Sequence, residues 1–90
     1  MIQPTFSTEP IREDERFNVV FFYVDGEYHY EHRAVPIERA MESVKFAAGS
    51  VAVHMQWLTR MLITDMLDRT CLEWKLHEGI VFPPVGSGKT

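Results

Sequence analysis

Residues 17–30 read Phe-Asn-Val-Val-Phe-Phe-Tyr-Val-Asp-Gly-Glu-Tyr-His-Tyr, and the Asp25-Gly26 pair inside them constrains the fold more than any other feature of the chain. Branched and aromatic residues suit a pleated surface. An Asp-Gly pair between two such runs signals a β-hairpin, because a two-residue type I′ turn needs positive φ at both positions. A two-residue turn also sets the register. Val24 faces Glu27, Tyr23 faces Tyr28, Phe22 faces His29 and Phe21 faces Tyr30. One face then carries Val19, Phe21, Tyr23, Tyr28 and Tyr30 and is the expected core face. The other carries Val20, Phe22 and Val24 beside Glu27, His29 and Glu31.

The next segment changes period. Pro36 suits the first turn of a helix, and Glu38 suits the positive end of its dipole. Ile37, Met41, Val44, Ala48, Val51 and Met55 then recur at helical spacing, flanked by Ala40, Ala47 and Ala52. This predicts one helix from about Pro36 to His54, lying on the sheet, with Phe46 and Val53 pointing away. Trp57–Thr64 and Thr70–Leu76 alternate as a second hairpin around a turn at Asp65–Arg69. Met61 and Ile63 share a face with Leu72, Trp74 and Leu76. Arg60, Leu62 and Thr64 share the other with Cys71, Glu73 and Lys75. Gly79 ends that strand, and Ile80-Val81-Phe82 is a short apolar run. The expected fold is α+β: a four-stranded antiparallel sheet (ββαββ) with one helix on one face. Counting strands along the chain, the expected order is 2-1-3-4.

Ninety residues make one small domain. Residues 1–15, with two prolines and the cluster Arg12-Glu13-Asp14-Glu15, are expected to form a mobile arm. Ile2, Phe6 and Ile11 are the residues by which it could dock. The domain proper is expected at 16–83, followed by a disordered tail at 84–90. A hydrophobic fraction of 46% supports a globular core. Nine Lys and Arg are scattered among thirteen acids for a net charge of −4, so no basic stripe is available for nucleic acid. No apolar run approaches the roughly 18 residues that span a bilayer, so no membrane partner is expected. The first residues lack the pattern of a signal peptide. A single cysteine, Cys71, cannot close an internal disulfide. Together these point to the cytoplasm.

Several motifs invite chemistry. Gly86-Ser87-Gly88-Lys89-Thr90 spells the end of a phosphate-binding loop, but Pro83 stands where the first glycine belongs and no residues follow to form the helix. It reads as linker composition. His29 and His32 lie three apart on a strand, which sends them to opposite faces, and neither His54 nor His77 completes a metal set. No metal and no cofactor is expected. Cys71 as a nucleophile needs a histidine that nothing in the spacing supplies, so a small strand residue is the plainer reading. Asp65 and Asp68 lack the further oxygen ligands of a calcium loop and read as turn formers.

What remains is apolar surface: Val20, Phe22, Val24 and Leu62 on the outer sheet face, and Phe46 and Val53 on the outer helix face. Contiguous apolar surface marks a partner site. Thr64-Asp65, Asp68, Thr70, Glu73-Trp74, Gly79-Ile80 and Phe82-Pro83 resemble the C-terminal hairpin of small uncharacterised bacterial proteins of hairpin-helix-hairpin layout. In this chain Met66-Leu67 replace the glycines expected in that turn. The resemblance implies a fold and no activity. The expectation is an interaction or assembly module, a homodimer or the binder of another protein, with those six apolar residues at the interface. The alternative is a small enzyme or ligand binder with a pocket between subunits, using His29, Glu31 and Cys71.

Overall fold

A computed structural model describes residues 5–6, 12 and 14–82. The elements are β1 (Thr5–Phe6), β2 (Phe17–Tyr23), β3 (Tyr28–Val35), α1 (Ile37–Ala48), α2 (Val51–His54), β4 (Leu58–Asp65), β5 (Arg69–Lys75) and β6 (Gly79–Phe82). They form an α+β domain on one sheet. Its order is β1-β5-β4-β2-β3, with β6 also paired to β5. The four strands of the two hairpins follow the expected order. The strand count does not: β6 adds a fifth antiparallel strand, and β1 pairs with β5 in parallel at Thr5↔Arg69 and Phe6↔Thr70. Two residues assigned to the N-terminal arm therefore belong to the sheet. The rest of the arm, apart from Arg12, Asp14 and Glu15, lies outside the described residues, as does the tail from 83 onward with its GSGKT sequence.

The core lies between α1 and one sheet face. Phe17, Val19 and Phe21 of β2 meet Leu58, Met61 and Ile63 of β4, Leu72 and Trp74 of β5, and Ala40, Val44 and Ala47 of α1. Alternation on the strands and a small-residue stripe on the helix produce it, since Ala40 and Ala47 let the helix backbone approach the sheet. The second hairpin keeps its expected faces, with Met61 opposite Trp74 and Ile63 opposite Leu72. Thr64 faces Thr70 rather than Cys71, which is displaced by a shift in register between Ile63 and Thr64. In the turn, the Asp65 carboxylate accepts the N–H groups of Leu67 and Arg69, as a turn-forming aspartate does.

Two local features depart from the sequence reading. Asp25-Gly26 makes a three-residue loop. Gly26 N–H donates to Tyr23 C=O at 3.0 Å, Tyr23 N–H to Glu27 C=O at 2.8 Å, and in this loop only Gly26 takes positive φ. A tight turn followed by a glycine in the left-handed region is the next commonest hairpin connection. The extra residue shifts the register by one, so Phe22 faces Tyr28, Phe21 faces His29 and Val20 faces Tyr30. A slip of one inverts a strand. Tyr28 and Tyr30 therefore join the outer face, His29 and Glu31 face the helix side, and Val24 sits in the turn. A further shift at Glu31 pairs His32 with Val19. His29 and His32 thus share the helix-side face, contrary to expectation.

The second departure is a break in the helix. Gly49 and Ser50 bond back to Phe46 C=O and Ala47 C=O, and Ser50 Oγ donates to Ala47 C=O at 2.6 Å. Ser50 is extended, with φ −83 and ψ 166. Two residues of low helix propensity end α1 and turn α2 off its axis. Val51 and Met55, expected on the core stripe, are exposed as a result. Val53, expected to point outward, is partly buried against the core.

Candidate functional site

Two surfaces emerge from these departures. The first is a groove of about 460 Å³ between the β2–β3 hairpin and the helical segment. Phe21, Ala47 and Leu58 form its floor. Tyr23 and Glu31 line the hairpin wall, and Arg39, Glu42, Ser43 and Phe46 line the helix wall. The inverted register of β3 is what turns Glu31 toward α1. His29 Nε2 lies 2.8 Å from Glu31 Oε1, and the imidazole stacks on the Tyr23 ring at 5.4 Å between centroids and 24° between planes. Burial, and then the Glu31 carboxylate, push the Tyr23 hydroxyl above its ordinary pKa. On α1, Arg39 Nη1 lies 3.4 Å from Glu42 Oε1. Residues 39, 42, 43 and 46 follow helical spacing, so their shared face was legible. What they face was not, because it depends on the hairpin register.

The second surface surrounds α2. Val24 N–H donates to Trp57 C=O, Trp57 N–H to Ala52 C=O, and Met55 N–H to Val51 C=O, each at 2.8 Å. These bonds gather exposed apolar side chains at one end of the molecule: Val24 is 68% exposed, Val51 72%, Met55 53% and Trp57 56%. Phe46, at 82%, stands at the rim of the groove near the same end.

The expected site residues distribute as follows. Val20, Phe22 and Leu62 occupy the outer sheet face in two cross-strand rows, Tyr30–Val20–Leu62–Glu73 and Tyr28–Phe22–Arg60–Lys75. That face carries less bare apolar surface than expected. Val20 is only 5% exposed and Leu62 9%. The Phe22 ring stacks on Tyr28 at 5.6 Å, and Arg60 reaches over it at 5.0 Å while bonding Glu73 at 2.6 Å. Val24 and Phe46 belong to the α2 end and its border, and Val53 packs inward. His29 and Glu31 meet, but Cys71 lies on β5, with β4 and β2 between it and β3. At about 4.8 Å per strand this is a separation of roughly 14 Å. The Cys71 thiol is pushed up to about 11, first by burial and then by the carboxylates of Asp65 and Glu15, with Arg69 opposing. A thiol so far from ionisation is a poor nucleophile.

Among the described residues no group of three potential metal ligands occurs. Nor, among the described residues, is any helix long and apolar enough to cross a membrane. No family model, curated protein or solved structure matches the chain significantly.

Proposed function

We propose that the chain is a protein-interaction and assembly module, a homodimer of the cytoplasm, whose interface is the apolar end around α2. One observation carries this reading: Val24, Val51, Met55 and Trp57 are more than half exposed and tied together by backbone hydrogen bonds, with Phe46 beside them. Together the five leave on the order of 600 Å² of side chain in water, against about 800 Å² per partner in a standard interface. A patch of that size supports association with a second copy. A domain this small, burying only about 60 to 65% of its unfolded surface, also gains more from such association than a large one does. The outer sheet face is second in rank, because Val20 and Leu62 are already covered. The lone cysteine supports a reducing compartment, and the resemblance to small bacterial hairpin-helix-hairpin proteins adds a fold to this reading without a chemistry.

Light scattering on three proteins tests the proposal. Wild type should have the mass of two chains. Trp57→Glu should have the mass of one, since it would bury a carboxylate against its symmetry mate. Phe22→Glu should remain a dimer. The opposite result for the two variants would move the interface to the outer sheet face, and a wild-type chain of monomer mass at high concentration would end the proposal.

A second reading, a small ligand binder or enzyme, is favoured by the groove, whose hairpin wall carries Tyr23 and Glu31, both in contact with His29, within a single chain and without Cys71.

A further inference from the structure

We propose that the groove between α1 and the β2–β3 hairpin binds a small organic cation, an ammonium group on an aromatic body. This rests on the ligand-binding reading and shares with the proposed dimer face only Phe46, at the rim of the groove. The volume of about 460 Å³ lies within the range of small-molecule sites, and the lining divides into an apolar floor and a few polar groups, as such sites do. Phe21, Ala47 and Leu58 offer a dry floor for a ring. Tyr23 and Phe46 stand on opposite walls, and an aromatic face attracts an ammonium group through its quadrupole.

Charge selects the head group. Arg39 and Glu42, one helical turn apart, offset each other. Glu31 remains, held by the imidazole of His29, which is itself fixed by stacking on Tyr23. A carboxylate oriented in this way, at the edge of an apolar floor, favours a donor of positive charge and disfavours an anion. The Tyr23 hydroxyl already responds to it: burial and Glu31 together oppose a negative charge at that wall. Phe46 contributes differently. As a large exposed ring on the rim it has little to pack against in the free chain, and a bound aromatic body would supply the missing contact.

The probe is phenethylammonium, titrated into the full 90-residue chain and followed by amide NMR. Shifts at Tyr23, Glu31, Ser43 and Ala47 should saturate at about millimolar concentration, as expected for so few non-hydrogen atoms. Phenylacetate, with the same ring and opposite charge, should bind at least tenfold more weakly. Glu31→Gln should weaken phenethylammonium about tenfold, the worth of one charge-assisted hydrogen bond, while leaving the mass in solution unchanged. Equal binding of cation and anion, retained binding in Glu31→Gln, or no saturable shift at these amides overturns the proposal. Should Glu31→Gln fail to fold, the comparison of the two probes on wild type decides alone. Loss of the dimer in wild type leaves this test intact, and loss of binding leaves the dimer intact.

Discussion

Asp65 shows how much one side chain can organise. It is buried at the end of β4, where one oxygen accepts the N–H groups of Leu67 and Arg69 at 2.9 Å each and the other accepts Arg69 Nε at 2.7 Å. Burial alone would raise its pKa. The Arg69 backbone bond, the Arg69 guanidinium and the Leu67 backbone bond outweigh it and hold the carboxyl below its ordinary value of 3.8. A depressed folded pKa contributes stability that is complete above the unfolded value and is lost as pH falls through the folded one. Asp65→Asn should therefore cost about 2 to 3 kcal/mol at neutral pH. In thermal melts the gap to wild type should be full above the ordinary carboxyl value of 3.8 and narrow as pH falls below it. A gap independent of pH would show that the carboxylate's charge is not what matters. The turn role of Asp65 was legible in the sequence, because aspartate before a short connection bonds its own backbone. The placement of His29 and Glu31 on the helix side was not, since it turns on whether the loop between β2 and β3 has two residues or three.

At the scale of elements, both hairpins, the helix and the order of the four hairpin strands were legible from alternation, helical spacing and short connections. The register of the first hairpin was hidden, because Asp-Gly serves two-residue and three-residue loops alike. The helix break was hidden for another reason: Val51 and Met55 continue the apolar stripe across Gly49-Ser50 as if nothing interrupted it. The apolar end exists only because of that break. Two glycines separate the local demands. Gly26 has φ +89 with open space around it, so Gly26→Ala should cost about 1 to 2 kcal/mol through backbone strain alone. Gly49 has φ −97 and meets only Phe46 C=O at 3.9 Å, so Gly49→Ala should be neutral or stabilising by about 0.5 kcal/mol. Urea denaturation of both variants checks this, and a larger loss at Gly49 than at Gly26 would contradict the three-residue loop.

The whole molecule depends on one small core, and its largest contributor is Trp74. It is 8% exposed, packed in the core cluster and paired across the sheet with Met61. Trp74→Ala should cost about 3 to 5 kcal/mol. A domain of this size holds only about 5 kcal/mol or slightly more in total, so the variant should be largely unfolded. A cooperative urea transition near that of wild type would place the stability elsewhere. The central seam of the sheet has a different consequence. β2 and β4 are joined by seven cross-strand partners, from Phe17↔Asp65 to Tyr23↔Leu58, and everything between them in the chain is β3 and the helical segment. Each half of the protein thus owns a hairpin of its own, and the seam is where the halves recognise each other. The exposed Gly49 lies between those halves. Cleaved there, the chain becomes two peptides with complementary edges, and mixing them at high concentration should restore the native spectrum by fragment complementation, the lost covalent link having supplied effective concentration rather than contacts.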